Sequence, residues 1–323
     1  MTQRMKRTLI VGASLRAAAA SAGAAEQVFT HTYLTETLPA GGKEIEQWVT
    51  MSEKKSQGLY KLWQTRTEFE YGITDRWQVS IYANAYKVTA QNNNSNASRA
   101  DYTAMGDGDE VSGGGPVTFG SYVPNLERLP LPSSRYAKRG FESVSVESVY
   151  QFLSPYKDGL GLAGYVELTG GAKTGEVELK LLAQKNLLND DLILAANLAL
   201  GFERSKWSDV GAEKETELVL SAGASYRVAN GWRVGLEMRN ERGYEGAYSL
   251  ANSRRDYSVW YAGPTVHYNG KIASQDFFIT AGFSQQLPWA KAWSPSSQVE
   301  MVDDRIYKES EKNVVRVLVG FSF

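Results

Sequence analysis

The charged residues of this chain recur two apart: Glu68 with Glu70, Glu178 with Lys180, then Glu237, Arg239 and Glu241. A spacing of two puts side chains on one face of a β-strand, so each set projects together into whatever that face covers. The same alternation collects Glu46, Arg66, Glu68, Glu70, Glu147, Glu167, Glu178, Lys180, Glu203, Glu217, Arg227, Arg233, Glu237, Arg239, Glu241 and Arg316 on one side, ten acidic groups against six basic. In a confined space such groups must pair to offset desolvation. They then fill the interior as a structural charge network, the favoured reading, or form a ring that selects solutes. If a water path remains, the carboxylate excess favours cations or neutral solutes. Tyr82, Tyr86, Tyr165, Tyr261 and Phe278 share this register and either fill space or stack a small aromatic solute.

Other chemistry is poorly supplied. His31 and His267 are the two histidines, and there is no cysteine. That is a poor transition-metal set and excludes cysteine-bound zinc or haem, so no metal or cofactor is expected. "DGDE" (Asp107, Asp109, Glu110) lacks the glycine and terminal glutamate of the helix-loop-helix calcium motif and reads as a solvated acidic loop. A lipid-hydrolysing barrel needs its Ser and His towards lipid near the outer surface. His267, in "PTVHY", points inward by the alternation and His31 precedes the first strand, so no catalytic residue is expected.

The elements that would position these residues are strands. Period-two segments bounded by turn residues lie near 43–53, 58–71, 77–87, 141–153, 160–169, 176–187, 192–204, 216–227, 232–242, 258–268, 272–286 and 313–323. In "LILAANLALGF" the leucines share one face and Asn197, Gly201 and Glu203 the other. No run of 18 apolar residues occurs, and mean hydropathy is -0.37, which excludes helical membrane spans. The fold expected is an all-β, antiparallel transmembrane barrel of about twelve strands, the alternative being a soluble sandwich, which also hides one face. Short connections ("GITDR", "SPYKDG", "LNDD", "VANG", "NGK") alternate with longer ones, as periplasmic turns do with external loops. Aromatic residues gather beside the short turns. Tyr71, Trp77, Tyr226, Trp232, Tyr268 and Phe323 are therefore the expected membrane-interface set.

Residues 1–25 read as an export signal, with Arg4, Lys6 and Arg7, the apolar "TLIVGASL" and the small-residue "SAGAA". Their removal, with Arg16, takes four of 35 basic residues and leaves 31 against 36 acidic, a net charge near -5. A nucleic-acid partner is thereby excluded. Residues 26–42 form a periplasmic or lumen segment, 43–323 the barrel, and the polar, Gly-rich stretch 88–140 a long external loop region. The expected setting is the outer membrane of a Gram-negative bacterium, with lipid, lipopolysaccharide and a small-molecule solute as partners. The expected function is a channel or transporter for passive passage of small solutes, cations or small aromatic compounds. The alternatives are a non-conducting structural or interaction barrel and, third, a barrel lipid hydrolase.

Two stretches carry a family resemblance. "NVVRVLVGFSF", ending on Phe323, resembles the C-terminal strand of Gram-negative outer-membrane proteins, which implies recognition by the barrel-assembly machinery. "TETLPAGGKEIEQWVT" followed by "TEFEYGITDRWQVSIYA" resembles the opening of outer-membrane transporters of the meta-pathway phenol-degradation family and related uncharacterised barrels. The matching features are the Leu38-Pro39 break, Glu46, Gly72, Thr74 and Asp75. The resemblance implies transport of aromatic compounds.

Overall fold

Alternation between apolar and polar side chains leaves each strand with one face for lipid and one for water, and closing the sheet on itself removes its edges. The computed structural model shows that closure. It describes residues 26–54, 58–91, 135–172, 174–207, 211–293, 301–302, 305–307 and 310–323. The expected export signal, "DGDE", and most of the long loop lie outside the described residues.

Twelve long antiparallel strands form the wall: β1 (Lys43–Glu53), β2 (Leu59–Thr74), β3 (Trp77–Gln91), β4 (Tyr136–Leu153), β5 (Gly161–Gly171), β6 (Thr174–Leu187), β7 (Leu192–Trp207), β8 (Gly211–Ala229), β9 (Trp232–Glu245), β10 (Arg255–Ile272), β11 (Gln275–Gln286) and β15 (Asn313–Ser322). Neighbours in sequence pair with one another, and β15 pairs with both β11 and β1, which closes the barrel. Between β11 and β15 lie three two-residue strands, β12 (Lys291–Ala292), β13 (Met301–Val302) and β14 (Ile306–Tyr307). Tyr307 of this connection stacks on Tyr257 at 4.9 Å and joins a buried cluster with Val259, Tyr261, Ala290 and Val314, covering the inner face of β10 near the mouth remote from the chain termini.

Several boundaries differ from those expected. β3 continues to Gln91 and β4 starts at Tyr136, so residues 88–91 and 136–140 belong to strands rather than to the loop. "NGK" is not a turn. Asn269 to Ile272 pair with Phe278 to Gln275, and the chain reverses at Ala273, whose φ of 56° is left-handed. Polar residues mimic a turn here, but the backbone ladder continues through them to Ile272 and Gln275. At "VANG" the reversal does fall where the sequence puts it, since Gly231 takes a φ of 75° at no steric cost.

The outer face carries exposed Leu194, Leu198, Leu220, Val234 and Leu236, whereas Asn197, Ser221, Glu237 and Arg239 on alternate positions are buried inside. Period two decides the orientation, and a slip of one residue would exchange the faces.

A candidate functional site inside the barrel

Residues 26–40 enter the barrel from the end that carries the short turns and leave at the same end. Their backbone makes no strand, so each N–H and C=O needs a partner from the wall. The inner faces supply them. Glu26 accepts from Asn269 Nδ2 at 2.6 Å and meets His267 Nε2 at 3.3 Å. Thr280 Oγ1 donates to the Gln27 carbonyl. At the deepest point the Glu237 carboxylate accepts the N–H groups of Thr30, His31 and Thr32 at 3.0, 2.7 and 2.6 Å, and the Thr30 hydroxyl at 2.7 Å. Arg316 donates to the Thr30 carbonyl at 2.9 Å and to Thr50 Oγ1 at 2.9 Å. Asn197 holds Tyr33 by both its N–H and its carbonyl, at 2.6 and 2.9 Å. On the way out, Gln184 and Gln151 hold Thr35, and Gln78 Oε1 accepts the Leu38 N–H at 2.9 Å. Glu36 accepts from Gln184 and from the Tyr156 hydroxyl, each at 2.8 Å, and burial raises its pKa above the usual carboxylate value.

The exit corner is built from the residues that carried the family resemblance. Gly41 donates to the Gly72 carbonyl and Gly72 to the Gly42 carbonyl, at 2.8 and 3.0 Å. A Cβ on Gly72 would run into the backbone oxygens of Leu38 and Pro39, so only glycine lets the strap pass there. Asp75 accepts the Ala40 N–H at 3.0 Å, and Thr74 Oγ1 accepts the Arg76 N–H at 3.2 Å. Gly223 likewise leaves room for the Phe29 ring.

Tyr33 follows directly on the segment held by Glu237. Its ring lies 6.4 Å from Trp48, nearly parallel, and 5.6 Å from Tyr165, edge-on. Lys180 Nζ sits 4.0 Å from the centroids of both Tyr33 and Tyr165, and Arg66 donates to the Tyr33 hydroxyl at 3.3 Å. A cavity of about 90 Å³ lies on one side of this layer, lined by His31, Thr50, Gln64, Asn84, Glu142, Glu178, Lys180, Asn197, Ser221, Arg239, Glu241 and Arg316, with Tyr33 and Trp48 at its floor. That volume holds several waters, since one needs about 10–15 Å³ on this measure. On the other side a second cavity, about 10 Å³, is lined by Glu46, Glu68, Glu70, Gln78 and Glu147 together with Gln27, Leu34 and Glu36 of the strap. Tyr33 and Trp48 line both.

Of the charged residues that alternation assigned to the interior, Glu46, Glu68, Glu70, Glu147, Glu167, Glu178, Arg233, Glu237, Arg239, Glu241 and Arg316 are buried, as are Tyr82, Tyr86, Tyr165, Tyr261 and Phe278. Arg66 and Lys180 are nearly so, pairing with Glu68 at 3.9 Å and Glu178 at 2.9 Å. Arg239 and Glu241 pair at 2.5 Å. Glu203 is half-buried and accepts from Ser205 at 2.8 Å. Arg227 requires a correction. It is exposed at the short-turn end, 3.6 Å from Asp191, because the ladder between β7 and β8 ends at Leu192 opposite Tyr226 and leaves Arg227 paired on one side only, with Arg233. Arg233 faces that same end and donates to the carbonyls of Asp190 and Asp191.

Trp232 and Tyr268 lie 4.7 Å apart, Tyr268 and Phe277 5.8 Å, and Phe277 and Phe321 6.2 Å, making a ring of aromatic side chains around the short-turn end. Tyr71, Trp77, Tyr226 and Phe323 are exposed at the same end. His267 lies inside, with Nδ1 2.8 Å from Thr280 Oγ1, and not on the outer face that a lipid hydrolase requires.

Sequence reasoning missed Tyr33, Glu44 and Glu142, as well as the grouping of Glu46, Glu68 and Glu70, whose carboxylate oxygens lie within 4.8 Å of one another. The grouping had a signal: the paired strands set Glu46 opposite Glu68 and Glu44 opposite Glu70.

No curated protein sequence matches the chain. Among solved structures, a COG4313 outer membrane channel from Pseudomonas putida F1 is similar at a TM-score of 0.51 and 11% identity, covering 89% of this chain and 97% of that one. The KdgM porin gives 0.44 and 11%, with 87% and 99% covered, and the NanC porin 0.46 and 9%, with 86% and 98% covered. These likenesses concern the fold. A family model matches residues 21–323, so the chain belongs to the family of unknown function DUF6662.

Proposed function

We propose that this barrel is a channel of the Gram-negative outer membrane that passes small cations and is narrowed at rest by its own strap. The observation that carries the reading is the pair of charged cavities on either side of the Tyr33–Trp48 layer within one lumen. A barrel serving only as a scaffold has no need of buried charge on both sides of a plug, because each such group costs several kcal/mol to desolvate. The carboxylates of β1, β2 and β4 outnumber the cations beside them, which favours positively charged solutes.

The alternative solute class, small aromatic compounds, follows from the resemblance of the first strands to the phenol-degradation family. It is less well supported, because the inward rings already carry cations of the chain itself. Arg66 lies 4.0 Å from the centroid of Tyr82, Lys180 4.0 Å from Tyr165, and Arg239 4.1 Å from Tyr261.

In this reading residues 1–25 are the export signal, the aromatic ring at the short-turn end sits at the periplasmic headgroups, and the opposite rim meets lipopolysaccharide. The C-terminal strand is the part read by the assembly machinery.

Single-channel recording from refolded protein in a planar bilayer tests the proposal, with the full mature chain, a variant lacking residues 26–40 and a variant lacking residues 92–134. A larger, cation-preferring conductance without residues 26–40 is the expected result. Silence from all three, each shown to be folded and inserted, would overturn the channel.

A further inference from the structure

We propose that Glu46, Glu68 and Glu70, completed by Glu147, form a binding site for one divalent cation. The site sits in the smaller cavity beneath Tyr33.

The three carboxylates of β1 and β2 offer oxygens that all lie within 4.8 Å of one another. A calcium ion holds its oxygens at about 2.3–2.6 Å, so opposite ligands stand roughly 4.6–5.2 Å apart, whereas magnesium demands about 4.2 Å and regular octahedral geometry. Oxygens within that bound can close on a single ion of either kind. Each carboxylate is steadied through one oxygen. Trp48 Nε1 donates to Glu46 Oε2 at 2.7 Å, Gln78 Nε2 donates to Glu70 Oε2 at 2.6 Å, and Arg66 lies 3.9 Å from Glu68 Oε2.

The second observation is independent of that cluster. Glu147, from β4, is 3% exposed, lines the same cavity, and its Oε2 has no protein partner. A carboxylate oxygen buried without a partner is costly, and it is aimed here at a space of about 10 Å³, the size of one small sphere. Glu46, Glu68, Glu70 and Glu147 face that space from the barrel wall, and Glu36 from the strap. The nearest cations are engaged elsewhere as well, Lys180 with Glu178 at 2.9 Å and Arg66 with the Tyr33 hydroxyl. A doubly charged ion with oxygen ligands answers both the geometry and the charge.

The strap covers this cavity through Gln27, Leu34 and Glu36, and Gln78, which steadies Glu70, also holds the Leu38 N–H. Occupancy of the site and seating of the strap therefore share a residue.

The test needs no conductance and stands whether or not the barrel is a channel. Refolded full-length mature protein in detergent is titrated with terbium, a calcium mimic that emits when a nearby tryptophan is excited. Trp48 touches the site. One bound terbium per chain, displaced by calcium and excited through tryptophan, is the expected result. Trp48→Phe should lose most of the sensitised emission while equilibrium dialysis still returns one ion. Glu68→Gln with Glu70→Gln should weaken binding by roughly tenfold or more, since affinity follows ligand charge. Deletion of residues 92–134, which removes Asp107, Asp109 and Glu110, should leave binding unchanged. If the double variant fails to refold, Glu147→Gln alone serves, with weaker binding expected. Absence of a stoichiometric ion from folded wild type, full-strength binding by the folded glutamine variants, or loss of binding on loop deletion would each overturn the site.

Discussion

Two groups of polar side chains on the lumen wall are used differently, although Gln78 of β3 and Gln151 of β4 also hold the strap. Along β6, β7, β9, β11 and β15, Gln184, Asn197, Glu237, Thr280 and Arg316 are spent on the backbone of the strap. Along β1, β2 and β4, Glu46, Glu68, Glu70 and Glu147 converge on one another and on a small cavity instead. Strap backbone offers fixed dipoles, so the wall opposite can be satisfied within the chain. Carboxylates crowded together are only partly satisfied within the chain, by Trp48, Gln78 and Arg66, and Glu147 keeps an oxygen for something that comes and goes. The first wall is thus a holder, and the second has the chemistry left over for a solute or an ion.

Glu237 is the point at which the holding wall should break first. Its carboxylate takes three backbone N–H groups and one hydroxyl, so Glu237→Ala orphans four buried donors at once. Removing one partner of such a buried charged arrangement costs about 3–5 kcal/mol, enough to unseat the tip rather than merely loosen it. The chain has no cysteine, so Thr32→Cys gives a clean reporter, and Thr32 is 1% exposed. Maleimide labelling should be slow with Glu237 present and fast in the Glu237→Ala background. Equal rates would show that the strap is not held by this residue.

Gly72→Ala attacks the same seat from its exit. The added methyl meets backbone oxygens of Leu38 and Pro39, which cannot swing aside as a flexible side chain would. Overpacking of this kind costs typically 1–3 kcal/mol, so the same Thr32→Cys reporter should label faster, though less so than with Glu237→Ala. Unchanged labelling would place the strap's hold entirely at its tip.

How far the sequence reveals all this follows from the range of the interactions. The twelve strands were legible because period-two alternation is local and repeats. Glu68 and Glu70, or Arg239 and Glu241, could be assigned to one face from their spacing alone. The strap was not legible, since Tyr33 meets Asn197 164 positions away and Thr30 meets Glu237 across 207, and no periodicity marks a segment that borrows its partners from a wall. The gathering of Glu46 with Glu68 lay between these cases, hidden until strand register was known. Arg227 misled because alternation continues past the point where the strand loses one of its two neighbours.

The acid wall can be tested by neutralisation. A unit charge about 7 Å from a solute in water contributes roughly 0.6 kcal/mol, which is about threefold in cation preference for each carboxylate removed. In a variant whose strap has been deleted, so that the wall faces an open lumen, Glu68→Gln and Glu147→Gln should each lower the cation-to-anion permeability ratio by about that factor. Arg233→Gln, at the short-turn rim on the other wall, should shift it the opposite way and less. A ratio insensitive to both carboxylates would make the two walls equivalent for passage, whatever their hydrogen bonding.

The smallest effect expected is that of pH, and it acts on the strap that the holding wall seats. His31 lies on the strap, with its N–H bonded to Glu237, and burial holds its pKa well below the ordinary 6.5, with Arg239, Arg316 and Lys180 pushing it the same way. A released strap therefore binds a proton more readily than a seated one. From this group the seat loses stability as pH falls through 6.5 towards the depressed value, and gains nothing further above 6.5. Glu36 works in the opposite sense. Burial raises its pKa above 4.5, so its contribution weakens as pH rises from there through the raised value. The net response of wild type between about pH 7.5 and 5.5 mixes the two, but the difference between wild type and His31→Gln isolates the histidine. Acid should open wild type more than the variant. An identical response in both would mean that the seated His31 is neither desolvated nor repelled by the cations around it, and that the holding wall acts through its hydrogen bonds alone.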